Sequence, residues 1–429
     1  MPATEKAYGV NGAFMVFLLS CAIMGFAVFF WSVRIIEAVE TWKMVPVMDP
    51  EAGTKPPDAL PLISVIVPAH NEASTISECV RSVLGQDYPR IELIVVDDRS
   101  QDGTSDIVAS LTAGKENCRL IRVNDLPSGW TGKCHALHVG VRHAQGSWLA
   151  FLDADSRLHE AGLRQTLGMA LDRKVGMVTL SPGLILESLW EKALQPVFMG
   201  MSAILYPLTK VNDPSSSVAS ANGMFFMIDR EAYRKIGGHT DVRDLAVEDI
   251  GIGKRVKALG LGLVFANGNR ILRTRMYTTL GEIISGWTRI LSASMNYRIS
   301  AAIKHFVVHS LISLPIMALG ICMYADEACR LWPHTWFILP AIPLAQAAVV
   351  SYLYYPQIGV PRIYSLFMFV GNVVLVAVLL NIVKKIALND ALQWRGCTYL
   401  ESRYRPTRLD PQPSSEEALA PVSLKGERV

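Results

Sequence analysis

The 429-residue sequence predicts an α/β domain with a mostly parallel central sheet, set among membrane helices. Three observations predict this class. Between residues 60 and 290, short β-branched runs alternate with helical stretches. Several of these runs end in polar clusters. Apolar residues make up 51% of the chain and charged ones 18%, against about 25% charged in an average soluble domain. The excess lies in a few long blocks.

The first block, residues 13–33, is uncharged and long enough for a helix to cross a bilayer. One lysine precedes it and no small-residue cleavage site follows, so it reads as a retained anchor after a tail at 1–12. Residues 34–59 form a linker. In the domain at 60–298, Ile63-Ser64-Val65-Ile66-Val67 reads as a strand ended by Pro68, with a helix from Ser74 to Gly85. Ile91 to Val96 is a second strand, a helix begins near Thr104, and Leu149 to Leu152 is a later strand. Continuous apolar strands between helices indicate a sheet covered on both faces. Three further apolar blocks, 306–324, 334–355 and 363–383, follow as membrane helices. The part from 384 to 429 is basic, and from Pro406 it is rich in Pro, Ser and charge, which predicts partial disorder.

A net charge of +3 is too mild for nucleic acid, while the basic residues after Lys384 fit a membrane surface. Seven scattered cysteines without a CxxC pair exclude a disulfide framework and a thiolate zinc site. The α/β domain is expected on the cytosolic side of the cell membrane in a multi-pass chain. Three spans after a cytosolic domain would put the C-terminus outside, whereas its lysines and arginines read as cytosolic. The sequence therefore favours one late block that does not span.

Ligands of such sheets bind beyond the carboxyl ends of the strands. Three strand ends carry polar clusters: His70-Asn71-Glu72, Asp97-Asp98-Arg99 and Asp153-Ala154-Asp155. A single carboxylate there serves equally as a turn residue or helix cap. Two at Asp-x-Asp spacing bring oxygen ligands near one point, suited to Mg²⁺ or Mn²⁺ with substrate phosphates completing the shell. Lys133, in Gly-Trp-Thr-Gly-Lys, would add a second positive charge, but the Walker spacing is missing. His135 and His138 lack a third ligand and carry no metal expectation.

ISVIVPAHNEASTISECVRSVLGQDYP, IELIVVDDRSQDGTSDI, WLAFLDADS and VEDIGIGKRVKALG together resemble the family 2 glycosyltransferases from Pro61 to about Arg298. The resemblance implies a GT-A fold, inversion at the sugar, and a UDP- or GDP-linked sugar donor. It implies that His70, Asn71, Glu72 and Asp98 line the nucleotide pocket. By the same resemblance Asp155 is the principal metal ligand, Asp153 meets ribose or metal, and Asp249 is the base. GWTGK, VNDP at 211–214, SANGMFFMIDREAYRKIGGH and RMYTTLGEIISGW are similar to hopanoid-associated and carotenoid glycosyltransferases, which implies a lipid or other apolar acceptor. The Gln-x-x-Arg-Trp motif of processive polysaccharide synthases is replaced by Ser285-Gly286-Trp287-Thr288-Arg289, so transfer of one sugar is expected over polymer synthesis. Trp287 and Arg289 are candidate acceptor contacts, with an interfacial anchor the other reading of Trp287.

Inversion needs a carboxylate to take the acceptor's proton. Glu248 and Asp249 precede a helix read from Ile250 to Leu259, and a helix N-terminus favours the ionised form. Both remain candidates, with Asp249 favoured and a plain helix cap the alternative. A nucleotidyltransferase would carry a glycine-rich basic loop where PAHNE stands. A non-catalytic scaffold would have lost Asp153, Asp155 or Asp249. Residues 189–208 are apolar but interrupted, and read either as an interfacial helix or as core.

Overall fold

The computed structural model describes residues 3–52, 60–311 and 338–388, with Ser313, Asp390 and the short pieces 392–394 and 397–399. In chain order the elements are α1 (Ala3–Met44), β1 (Ile63–Ala69), α2 (Ile76–Leu84), β2 (Ile91–Asp98), α3 (Thr104–Thr112) and β3 (Cys118–Val123). Then come α4 (Gly132–His143), β4 (Trp148–Leu152), β5 (Ser156–Leu158), α5 (Gly162–Asp172), β6 (Met177–Ser181) and β7 (Gly183–Leu184). They are followed by α6 (Leu189–Leu205), α7 (Leu208–Asn212), β8 (Phe225–Asp229), α8 (Arg230–Lys235) and α9 (Glu248–Ala258). β9 (Leu263–Asn267), β10 (Leu272–Thr274), α10 (Leu280–Ser294), α11 (Ile299–Leu311), α12 (Ile338–Tyr354) and α13 (Met368–Ala387) complete the series.

Seven strands form the main sheet in the order β3-β2-β1-β4-β8-β6-β9. All pairings are parallel except those of β8, which runs antiparallel to β4 and to β6. The near-continuous apolar strands are explained by burial on both faces. Val65 and Val67 join one core with Leu93, Val95 and Leu167, while Ile66 joins the other with Val96, Phe151 and Phe226. Phe151 and Phe226, cross-strand partners in the β4/β8 register, stack at 4.6 Å between ring centroids.

β1 does not stop at Pro68. Pairing with β4 ends at Ile66↔Phe151, while pairing with β2 continues to Ala69↔Asp97. By Pro68 the strand has one neighbour, and a missing ladder donor costs nothing on the open side. Glu92 interrupts an apolar strand for a different reason. It is buried, and its Oε1 accepts from Ser64 Oγ at 2.6 Å and from the Gly146 amide at 3.1 Å, holding the turn that leads into β4.

A smaller sheet, β5-β10-β7, carries the chain past the main sheet's edge. The segment after α1 pairs with the end of β9: Met48 N donates to Asn267 O at 2.8 Å and Asn267 N to Pro46 O at 2.7 Å. Among the described residues, two helical segments, Cys21–Met44 and Arg362–Ala387, are long and apolar enough to cross a membrane. The block read at 306–324 is described only through α11 and Ser313, and residues 314–337 lie outside the described residues, as does the tail from 400.

Residues 189–208 resolve into α6, whose buried face bears Leu194, Phe198 and Met201 and packs on α10 and α13. Leu189 and Trp190 stay exposed at its start. Contact with α13 depends on Gly371, where a Cβ would stand 2.4 Å from Ala193 O and 2.6 Å from Val197 Cγ2. Gly371→Leu should force the helices apart and cost about 1–3 kcal/mol, as overpacking does. Thermal unfolding of the detergent-solubilised chain should show a lower Tm, and an unchanged Tm would contradict this packing.

Candidate active site

The sheet register brings the polar clusters to one edge. β1, β2 and β4 are parallel, so His70, Asp98 and Asp153 emerge side by side at their carboxyl ends. β8 enters from the same edge because it is antiparallel, and Asp153 N donates to Met224 O at 3.0 Å. A cavity of 780 Å³ lies over this edge. It is lined by His70, Glu72, Asp98, Lys133, Asp153, Asp155, Glu248 and Asp249, and equally by apolar residues of α1, α6, α12 and α13.

Lys133 stands at the centre. Its Nζ lies 2.7 Å from Asp153 Oδ1 and 3.0 Å from Glu248 Oε1. A cation in the first turn of a helix opposes the helix dipole, at about 0.3–1 kcal/mol. The surrounding acids outweigh that: charges 4 Å apart attract by about 4 kcal/mol at an effective dielectric of 20. Burial alone would pull the Lys133 pKa down, yet Asp153, Glu248 and Asp249 hold it well above its ordinary value. The helix start bearing Lys133 is fixed by the Thr131 side chain, which accepts from Cys134 N, and by Thr131 N donating to Arg243 O at 2.8 Å.

Glu248 and Asp249 begin α9 and divide in role. Burial pushes Glu248 up, but the Lys133 ammonium outweighs it, and its pKa falls below the usual value. Asp249 goes the other way: burial and then the Glu248 carboxylate raise it to about 7. Ionisation by the helix N-terminus, expected from the sequence, is thus overturned at Asp249. Removal from bulk water and a like charge next door exceed the dipole's effect. Asp249 Oδ2 accepts from Gly223 N at 2.6 Å and Oδ1 from Ile250 N at 2.9 Å. Gly223 leaves little room there, since a Cβ would stand 3.0 Å from Lys133 Nζ and 3.1 Å from Asp249 Oδ2.

Asp155 lies outside the Lys133 cluster. Its Oδ1 accepts from Thr274 Oγ1 at 3.3 Å and Ser156 Oγ at 3.2 Å. Asp153, also drawn up by burial against the pull of Lys133, shares the cavity wall with it. Among the described residues no group of three or more His, Cys, Asp or Glu is arranged to hold a metal. Two carboxylates facing one cavity nevertheless fit a hard cation whose other ligands come from phosphate oxygens and water.

The upstream clusters are tied to each other. His70 Nδ1–H donates to Asp98 O at 2.5 Å, and Asn71 Nδ2 donates to His70 Nε2 at 3.3 Å. Asn71, at φ 56°, accepts from Gln101 N at 2.8 Å and donates from its own amide to Ser100 Oγ at 2.9 Å. It braces two loops and does not line the cavity, unlike its neighbours His70 and Glu72. Asp98 is gripped by Arg99 through Nε at 2.8 Å and Nη2 at 3.1 Å.

Trp287 is 2% exposed, stacks on Phe198 and donates Nε1–H to Gln195 Oε1 at 2.9 Å. That excludes the interfacial-anchor reading. Arg289 Nη1 donates to Ala246 O at 2.7 Å and so steadies the loop entering α9. Sequence reasoning placed Arg99 in a strand-end cluster but missed Gly223, Thr274, Arg275 and Glu191. Only Glu191 had a local signal, the Ser188-x-x-Glu191 spacing of a capping box, which forms.

Residues 64–237 match the pattern of the glycosyl transferase family 2, a stretch that includes Lys133, Asp153 and Asp155 and ends before Glu248. A 4,4'-diaponeurosporenoate glycosyltransferase of Staphylococcus aureus (strain USA300) is 26% identical over 267 residues, covering 61% of this chain and 68% of the relative. A mannosyltransferase from Pyrobaculum calidifontis, solved in complex with GDP-Man and Mn²⁺, is 18% identical with a TM-score of 0.50 over 85% of this chain and 99% of its own, a likeness of fold. With the sheet order, the strand-end clusters and these matches in agreement, residues 64–237 carry the family 2 glycosyltransferase pattern on a GT-A fold.

Proposed function

We propose that this enzyme transfers a single sugar, with inversion, from a nucleoside-diphosphate donor to a hydroxyl of an apolar acceptor held by the membrane. The observation that carries the reading is the cavity, whose polar floor holds Lys133 and the carboxylates while Trp31, Gly200, Ile204, Tyr354 and Leu375 form apolar walls on helices associated with the two membrane-length segments. A donor needs the charged floor, and an apolar acceptor needs those walls. The relative named for 4,4'-diaponeurosporenoate and the mannosyltransferase solved with GDP-Man and Mn²⁺ fit the two halves.

In this reading the donor diphosphate lies beside Lys133, whose ammonium stays charged among its acids. Asp155 and Asp153 are the residues that would hold Mg²⁺ or Mn²⁺. A cation there supplies neutralisation of the charge gathering on the leaving diphosphate. His70, Glu72 and Asp98 border the nucleotide, with Arg99 compensating Asp98. Asp249 takes the acceptor's hydroxyl proton as the oxygen bonds to the anomeric carbon and the bond to the diphosphate oxygen breaks. A base works best with a pKa near the working pH, which Asp249 meets at about 7. Glu248 is committed to Lys133. Residues 60–298 are the catalytic unit, assigned to the cytosolic side, with Cys21–Met44 and Arg362–Ala387 as spans in a multi-pass chain.

Asp249→Asn should lower kcat by about 10²–10⁴-fold with donor binding retained. The assay is label transfer from a panel of radiolabelled nucleotide sugars into organic-extractable lipid by purified membranes. Wild-type labelling by the variant would remove Asp249 as the base.

The reaction needs Asp249 ionised, so kcat/KM should rise with pH through about 7 and level off above it. A profile flat from pH 5.5 to 8.5 would oppose the assignment.

A side chain at Gly200 would meet Tyr354 Cε1 at 3.7 Å and otherwise project into the cavity. Gly200→Leu should raise the acceptor KM on the order of tenfold, about 1.4 kcal/mol, and leave nucleotide affinity unchanged. Unaltered acceptor kinetics would exclude this wall from the acceptor path.

A further inference from the structure

Asp155 sits where two short strands leave the small sheet. β10 ends at Thr274, whose hydroxyl bonds Asp155, and the next residue is Arg275. β7 ends at Leu184, pairs with Thr274, and is followed by Glu187, Ser188 and Glu191 at the entry of α6. Arg275 bridges the two exits. Its Nε and Nη2 lie 3.2 Å and 3.0 Å from Glu191 Oε1, and its Nη1 lies 2.7 Å from Glu187 Oε2.

Glu191 is 1% exposed and has a second task. Its Oε2 accepts from the amides of Glu187 and Ser188, closing the capping box of α6. One turn on, Gln195 Nε2 donates to Tyr277 O at 3.1 Å. The helix is thus stitched along its first two turns to the segment that follows Thr274. Its other side is anchored on α13 through the Gly371 contact, within the membrane-length segment.

We infer that Arg275 and Glu191 are positioning residues: their ion pair sets the Thr274–Asp155 contact and hence the cation affinity of the site, so that the membrane-anchored helix α6 holds the metal-side carboxylate in register. The inference rests on Asp155 being a cation ligand. Residues that orient a metal ligand typically govern 10–100-fold of metal affinity. A buried ion pair broken on one side leaves an uncompensated charge, whereas replacing both partners by apolar groups removes that penalty. The two effects can therefore be separated.

The experiment is Mn²⁺ titration by electron paramagnetic resonance on the detergent-solubilised full chain, alone and with UDP or GDP, with Tm recorded in parallel. Arg275→Met should weaken Mn²⁺ binding by about 10–100-fold and lower Tm. The double variant Arg275→Met/Glu191→Leu should recover Tm only in part, because the capping box of α6 is lost with Glu191, and should not recover Mn²⁺ affinity. Arg275→Lys, which keeps the charge and loses the fork, should show intermediate affinity and serves if Arg275→Met does not fold. Wild-type Mn²⁺ affinity in the double variant or in Arg275→Lys overturns the positioning role. Asp155→Ala separates the two levels: if it binds Mn²⁺ as the wild type does, or if the wild type binds none, the metal assignment fails and this inference falls with it. Loss in Asp155→Ala together with retention in the Arg275 variants overturns only the inference.

Discussion

The Lys133 ammonium, held between Asp153 and Glu248, is the contact on which the rest of the site depends. It joins the start of α4, the end of β4 and the start of α9, elements that no hydrogen-bonded ladder connects directly. A lone charge enclosed by protein is costly, and so are two carboxylates left without a cation. Each of the three elements supplies charge that compensates the others. Gly223 belongs to this arrangement, because a Cβ there would crowd both Lys133 Nζ and Asp249 Oδ2.

The same cluster sorts its acids. Glu248 spends its charge on Lys133 and stays ionised, and by staying ionised it raises its neighbour Asp249. Two adjacent carboxylates thereby acquire different protonation behaviour from one cation placed nearer to one of them. The electrostatic logic is that of paired titratable groups whose environments push their pKa values apart. It turns a helix N-terminus, which by itself favours an anion, into a place where a carboxyl group can exchange a proton near neutral pH.

The polar floor and the apolar walls meet in one cavity because α6 belongs to both parts of the molecule. Its buried face packs on α10 and α13, while its first turns reach the exits of β7 and β10. Trp287 and Gln195 lock this junction from within, and their mutual hydrogen bond explains why a tryptophan near a membrane segment is not at its surface. α6 thus ties the edge of the sheet to a membrane-length segment.

What the sequence determined by itself is the periodic and the local. β-Branched runs ending in His70-Asn71-Glu72, Asp97-Asp98 and Asp153-Ala154-Asp155 identify a doubly covered sheet and its working edge, because apolar continuity and strand-end chemistry are written over a few consecutive residues. Of the long apolar blocks, the first and the last coincide with segments of membrane length among the described residues. Tertiary structure alone decided which of those residues act together. Asn71 became a brace between two loops, Asp153 found Lys133, and Asp249 met Gly223, 26 positions away, because β8 runs against its neighbours. The Arg275–Glu191 pair was half legible, since the capping box announces Glu191 at a helix start but not the guanidinium it receives from 84 positions along the chain. Periodicity records burial along a segment. Pairing between segments depends on strand direction and register, and enclosure then changes the charges themselves, so neither could be read before the sheet was assembled.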